Sequence, residues 1–182
     1  YMLPVPERLA KHGYVAMAFD HRGFGKSEGV VARLMPPEQV EDIRNAVTFM
    51  TTIPSVDTDQ IALYGTSFGG GNVVIAAATD DRVCCVVSVV PVANGLRWMK
   101  SLRKHWEWLK FLKVLAEDRV QRVLTGKSRR VDVTELMPGD PHSRQVIQEK
   151  VKAAEKYTEG YPLENAEATM RHIPEDYVHA IA

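Results

Sequence analysis

The sequence of 182 residues has few cysteines, no excess of charge of either sign and no long hydrophobic run. Its two cysteines, Cys84 and Cys85, are adjacent within one apolar segment. Neighbouring side chains of a strand point to opposite faces, so a disulfide between them is not expected. Neither cysteine has a CxxC spacing or a nearby histidine, so a metal site is not expected either. The sequence predicts two buried, reduced thiols.

Charge and hydropathy argue against nucleic acid and membranes as partners. Lysine and arginine number 23, as do aspartate and glutamate, so the formal net charge is zero. This balance gives no electrostatic basis for binding nucleic acid or a membrane surface. The longest apolar run, residues 83–92, is far shorter than the ~20 residues that cross a bilayer. Residues 1–8 have neither the basic region nor the apolar core of a signal peptide. Reduced thiols fit a cytosolic setting, and we expect a cytoplasmic protein.

The stretch around Ser67 carries the clearest chemical signal. Residues 61–64 predict a buried strand, a Gly-Thr-Ser-Phe-Gly turn follows, and residues 72–78 predict an Ala-rich helix. Strand, G-x-S-x-G and helix form the setting of a nucleophile elbow, in which a strained turn exposes the serine hydroxyl at a helix N-terminus. Gly65 and Gly69 would flank the serine because a Cβ at either position would collide with the turn. The pattern favours a catalytic serine over a structural turn.

The segments on either side of this turn predict a parallel sheet with flanking helices. The predicted elements are a strand over residues 14–19, a helix between Pro36 and Pro54, a strand over residues 60–64, a helix over residues 68–79 and a strand over residues 82–91. Alternation of strands and helices with short connections is typical of an α/β fold. Residues 96–125, 143–157 and 164–173 are helical in pattern. The apolar stripe of residues 96–125 fits either helix packing or the wall of a substrate pocket.

Two motifs together resemble the α/β-hydrolase superfamily. Residues 20–27, Asp-His-Arg-Gly-Phe-Gly-Lys-Ser, are similar to the D-x-R-G-x-G-x-S loop after its fourth strand, and residues 65–70, Gly-Thr-Ser-Phe-Gly-Gly, to its nucleophile elbow. The form of these two motifs resembles that in dienelactone-hydrolase-like and Xaa-Pro-dipeptidyl-peptidase-like serine hydrolases, which include esterases and acyl transferases. The resemblance implies an α/β-hydrolase fold with strands four to six present. Residues 1–95 would be a partial core and residues 96–182 a helical cap that ends before the acid-bearing strand.

Several parts of the family pattern have no counterpart in these residues. The family places half of its oxyanion hole after the third strand, its catalytic acid after the seventh and its histidine after the eighth. In this fold the third strand lies between the fourth and fifth, so we expect a gap one strand wide with unpaired backbone groups. We therefore expect an internal piece of a longer hydrolase rather than a complete, rearranged protein.

The resemblance implies a serine hydrolase that cleaves a small-molecule ester or thioester through an acyl-enzyme on Ser67. The Phe68 backbone N–H would be one oxyanion donor, the histidine and aspartate would come from outside this chain, and no metal or organic cofactor would be needed. An acyl transferase uses the same chemistry with another acceptor. A non-catalytic binding or scaffold module that has lost the triad is a further alternative.

Other polar residues have structural interpretations. His21 is expected to shape the loop after strand four, since no carboxylate is evident to orient it. His172 and His179 flank Asp176 but precede the acid strand, so we expect them on the surface. Asp20 and Arg22 are expected to form an ion pair that holds the loop.

Overall fold

The structure is a computed structural model that describes residues 4–139, 142, 145, 149, 157 and 159–181. Its elements are α1 (Pro4–Lys11), α2 (Pro36–Met50), β1 (Ile61–Thr66), α3 (Phe68–Ala78), β2 (Val83–Val89), α4 (Gly95–Ser101), α5 (His105–Thr125), β3 (Arg130–Val131), α6 (Val133–Leu136), β4 (Tyr161–Pro162), α7 (Glu164–Met170) and a 3-10 helix (Pro174–Ala180). The predicted helix over residues 143–157 lies largely outside the described residues. No helix in the described part of the chain is long and apolar enough to span a bilayer.

Strands β1 and β2 form a parallel pair, and α3 is the crossover between them. Ile61 lies opposite Val83, and Thr66 lies opposite Val89. The pairing passes from Val83 directly to Cys85, so the register shifts at this point. The parallel sheet with flanking helices is therefore as predicted, and both strands run toward the edge at which the turn of Ser67 begins.

One face of this sheet is covered by helices α2 and α3. Val40 and Ile43 of α2 pack with Val73 and Ala76 of α3, and partly buried strand residues, Leu63 and Val86, close the cluster. These apolar residues recur at helical spacing, so each helix presents one stripe to the strands.

The opposite face of the strands is open in the described residues, and this corrects one prediction. Cys84 and Cys85 are free thiols, but both are exposed rather than buried. Val87, two residues further along β2, is 46% exposed. Cys84 falls at the register shift, and Cys85 lies on a strand that helices cover from one side only. The apolar composition of β2 therefore does not guarantee burial.

A cavity of about 560 Å³ lies between β1 and residues 15–19. Ile43 and Val47 of α2 line it from one side, and Leu9 of α1 also contributes. Residues 14–19 were predicted as a strand, but they belong to no ladder in the described chain. A strand in a ladder needs a hydrogen-bonded neighbouring strand, and the cavity separates residues 15–19 from β1. The cavity occupies the position at which the resemblance implies a gap one strand wide.

A second apolar cluster is built from the later elements. Its buried members are Met99, Phe111, Leu115, Val131, Leu136, Leu163 and Ala166. The loop that follows residues 14–19 is tied to this region: the Leu34 N–H donates to Asn165 Oδ1 at 2.9 Å, and Asn165 Nδ2 donates to the Ala32 carbonyl at 2.8 Å. Arg33 also pairs with Glu164, with Nε 3.2 Å from Oε1. Polar contacts therefore join the predicted core and cap segments.

Candidate active site

Ser67 occupies the turn between β1 and α3, and its backbone is held in an unusual conformation. Its φ is 53° and its ψ is −121°, a region that non-glycine residues rarely adopt. The Ser67 N–H donates to the Val89 carbonyl at 2.9 Å, and the Ser67 carbonyl accepts from the Val92 N–H at 3.1 Å. Both backbone groups are thus bonded to residues at and just beyond the end of β2. The sheet itself maintains the strained turn.

The Ser67 hydroxyl is not used to cap the helix that follows. Ser67 is the N-cap residue of α3, yet its side chain makes no capping hydrogen bond. The first N–H groups of a helix have no intrahelical acceptor, and the Phe68 N–H is the first of α3. No acidic residue lies in the first turn of α3. The turn therefore places a serine hydroxyl beside backbone donors that favour negative charge.

The two glycines of the turn have different roles, which corrects part of the prediction. A Cβ at Gly65 would lie 2.3 Å from the Gly69 carbonyl oxygen and 2.8 Å from Val73 Cγ2, so glycine is required there. A Cβ at Gly69 would meet no atom of the described residues within 4 Å. The expectation of a collision at Gly69 is therefore wrong, because the close approach in this turn is made by the Gly69 carbonyl and not by its Cα.

His172 is buried beside the turn, whereas the sequence predicted it on the surface. Its side chain stacks on Phe68, with ring centroids 4.7 Å apart and an interplanar angle of 25°. Only 3% of the residue is exposed, and neither ring nitrogen has a hydrogen-bond partner among the described residues. Burial lowers the pKa of His172 to about 4, so the ring is neutral near pH 7. His179 is exposed, as predicted.

The order of triad residues along the chain led to the prediction that His172 is exposed, but one glycine in the sequence points to its burial. A Cβ at Gly71 would lie 2.6 Å from His172 Nε2 and 2.7 Å from Pro174 Cγ. The elbow motif does not itself require glycine at this position. A further glycine in the first turn of a helix indicates that another group approaches closely.

The loop over residues 20–29 is held differently from the prediction. Arg22 pairs with α2 rather than with Asp20: its Nε donates to Asp42 Oδ1 at 2.7 Å, and its Nη2 donates to Glu41 Oε2 at 2.7 Å. The Asp20 carboxylate instead accepts from the Lys26 N–H at 3.0 Å. The predicted ion pair is therefore wrong, because the carboxylate of Asp20 folds back over its own glycine-rich turn.

His21 has a carboxylate partner that the sequence did not reveal. Its Nδ1 lies 3.4 Å from Asp42 Oδ2, and its ring packs edge-on against Phe19. Burial lowers the pKa of His21, although Asp42 opposes that shift. Burial alone would raise the pKa of Asp42, but hydrogen bonds from Arg22 lower it overall. Asp42 is thus shared between a cation and a neutral ring, an arrangement that suits loop shaping.

The described residues contain no group of three or more His, Cys, Asp or Glu side chains that could hold a metal ion. The structure brings Ser67, the Phe68 N–H and the His172 ring together at one turn. His21 instead lies beside Asp42, on the wall of the cavity.

Three relatives illustrate what this chain is similar to. An uncharacterised 31.7 kDa protein in the traX-finO intergenic region of Escherichia coli is 39% identical over 140 residues, covering 77% of this chain and 48% of that protein. Thiohydrolase aneE of Aspergillus aculeatus is 39% identical over 90 residues, 49% of this chain and 28% of that protein. Polyketide transferase grgF of a Penicillium species is 36% identical over 86 residues, 47% of this chain and 29% of that protein. The chain spans about half the length of the first relative and less of the others.

The crystal structure of GrgF from Penicillium sp. sh18, an α/β hydrolase, superimposes with a TM-score of 0.73 at 22% identity, covering all of this chain and 62% of that one. This likeness confirms the predicted fold. The X-Pro dipeptidyl-peptidase (S15) family matches residues 2–173. The resemblance drawn from the loop at residues 20–27 and the elbow at residues 65–70 is thereby confirmed, and the chain belongs to the X-Pro dipeptidyl-peptidase (S15) family, with an α/β-hydrolase fold.

Proposed function

We propose that Ser67 is the nucleophile of a hydrolase that cleaves an ester or thioester. One observation carries the proposal: Ser67 is held at a φ of 53° between β1 and α3, and its hydroxyl makes no capping hydrogen bond. A strained serine at a strand-to-helix turn is the local geometry of a nucleophile elbow. The similarity to a protein named a thiohydrolase supports a thioester as one substrate class.

In the proposed reaction, Ser67 Oγ forms a bond to the acyl carbon of a small-molecule substrate. Its proton passes to a histidine, and the carbonyl oxygen becomes an oxyanion to which the Phe68 N–H donates. The bond from carbon to the alcohol or thiol then breaks, and the leaving group takes the proton. Water attacks the acyl-enzyme in the same way, which releases the acid and restores Ser67. This chemistry uses no metal or organic cofactor.

The histidine and the aspartate that orients it are assigned to residues outside this chain. His21 is paired with Asp42 at the cavity wall, and His172 is stacked on Phe68 with no carboxylate partner among the described residues. Neither arrangement is that of a base held between a carboxylate and Ser67. Residues 1–95 are proposed as part of the hydrolase core and residues 96–182 as the cap.

Acyl transfer to an acceptor other than water is the second candidate, because GrgF is named a polyketide transferase. The two functions share the acyl-enzyme on Ser67 and differ only in the second step. Product analysis separates them: a hydrolase releases the free acid when an alcohol or thiol acceptor is added, whereas a transferase forms the new ester or thioester.

The test is an intact-mass spectrum of the natively expressed protein before and after a fluorophosphonate probe. We expect a mass well above the 20.4 kDa of this chain and one covalent adduct, because the probe reacts with an activated serine. Ser67→Ala should abolish the adduct. Ser101→Ala, at the exposed end of α4, is the matched control and should keep it.

A protein of 20.4 kDa that forms no adduct would overturn the catalytic proposal for this chain and leave the non-catalytic module. An adduct that persists in Ser67→Ala would overturn the assignment of the nucleophile.

A further inference from the structure

His172 is a buried polar ring that the proposed reaction does not use. It packs against the face of α3 that carries Phe68 and Gly71, which are three residues apart at the start of that helix. Phe68 packs against the flat side of the imidazole, and Nε2 points at Gly71 closely enough that a Cβ there would lie 2.6 Å away. The ring therefore fills the space between these two residues.

The backbone of His172 is fixed independently of its ring. The His172 N–H donates to the Thr169 carbonyl at 3.0 Å, at the end of α7. Its carbonyl accepts from the Gly95 N–H at 2.8 Å, at the start of α4. Pro174 follows, and its Cγ would lie 2.7 Å from a Cβ at Gly71. The imidazole is thus held from two elements outside the sheet and pressed against the first turn of α3.

Leaving both ring nitrogens without a partner among the described residues costs stability, because a neutral imidazole has one donor and one acceptor. Buried polar groups without partners call for an explanation. Here the explanation is size and flatness: the five-membered ring stacks on Phe68 and still clears Gly71, where even a methyl group would clash with it.

We propose that His172 is a positioning residue for the oxyanion donor: its ring holds Phe68 and Gly71, and with them the direction of the Phe68 backbone N–H. The inference rests on the proposed function, in which that N–H donates to the oxyanion. The ring itself touches no reacting atom. It acts through the first turn of α3, where the Phe68 N–H, as the first of the helix, has no intrahelical acceptor to orient it.

The experiment measures the saturation kinetics of fluorophosphonate labelling in the natively expressed protein. In this reaction Ser67 Oγ forms a bond to phosphorus, the P–F bond breaks, and fluoride leaves while the serine proton goes to the base. Negative charge develops on the phosphoryl oxygen, so the maximal labelling rate reports how well the Phe68 N–H stabilises that charge. The half-saturating concentration reports probe binding.

His172→Ala should lower the maximal labelling rate by about 10- to 100-fold with little change in half-saturation, since loss of a whole oxyanion donor costs on the order of 10²–10³. Gly71→Ala should also lower the rate, because a Cβ there would lie 2.6 Å from His172 Nε2, 2.7 Å from Pro174 Cγ and 3.0 Å from the Val92 carbonyl oxygen. His179→Ala, an exposed histidine seven residues further along, is the control and should label like the wild type.

A wild-type maximal rate in His172→Ala, or a loss confined to half-saturation, would overturn the proposal. If His172→Ala does not fold, His172→Asn keeps a small flat side chain, and the same predictions apply in direction. Failure of the proposed function is recognised separately, since Ser67→Ala would then label like the wild type.

Discussion

At the scale of single residues, the turn at Ser67 depends on how closely two parts of the backbone approach at Gly65. The Gly69 carbonyl occupies the place that a Cβ of residue 65 would need. Ser67, between them, has a positive φ that its hydrogen bonds to Val89 and Val92 maintain. Moving the first turn of α3 away from β1 would release this strain and displace the hydroxyl.

We therefore expect Gly65→Ala to lower the free energy of unfolding by about 1–3 kcal/mol, the usual cost of inserting a methyl group where there is no room. Gly69→Ala is a matched control four residues later, at the end of the same turn: its Cβ meets no described atom within 4 Å, and alanine in a helix gains roughly 0.5–1 kcal/mol over glycine. Urea denaturation followed by circular dichroism measures both. Equal effects of the two substitutions would contradict this account of the turn.

At the scale of elements, helix α5 shows why an apolar pattern alone does not locate the core. The helix carries apolar residues on two sides. Phe111 and Leu115 are buried against α7 and its neighbours, whereas Leu109 is 68% and Val123 is 81% exposed. The buried side includes a charged residue, Asp118, which is 2% exposed. Sequence periodicity could predict the helix, but only the packing of other elements selects which side is covered.

The buried carboxylate of Asp118 closes the turn that follows α5. It accepts from Arg122 Nε at 2.8 Å, from Ser128 Oγ at 3.0 Å and from the Arg129 N–H at 2.6 Å. Asp118→Ala leaves these donors without an acceptor, and we expect a loss of about 3 kcal/mol in the free energy of unfolding. Glu117→Ala is the control on the same helix.

Glu117 is exposed and lies 3.9 Å from Lys113, so its loss should cost less than about 1 kcal/mol. Chemical denaturation of both variants measures the difference. Losses of similar size would show that the Asp118 contacts do not hold the end of α5.

At the scale of the whole molecule, the sequence predicted what is local and missed what depends on distant parts. The elbow and the loop at residues 20–27 are defined by contiguous residues, so the motif identified the fold and the position of Ser67 correctly. The burial of His172 depends on Gly71 and Phe68, about 100 residues earlier, and the exposure of Cys85 depends on which face of β2 the helices cover. Cys84 is exposed at the register shift between β1 and β2. No local pattern encodes either relation.

The open face of the sheet gives the last prediction. Both thiols should react with a water-soluble disulfide reagent in the folded 182-residue chain, because Cys84 and Cys85 are exposed and neither is in a disulfide. Absorbance of the released thiolate should report two equivalents without denaturant, and one equivalent in Cys84→Ser or Cys85→Ser. Protection of Cys85 until urea is added, read in the Cys84→Ser variant, would mean that the face opposite α2 and α3 is covered. In the natively expressed protein, thiols that become protected while the isolated chain reacts would identify this face of β1 and β2 as one on which another segment or partner packs.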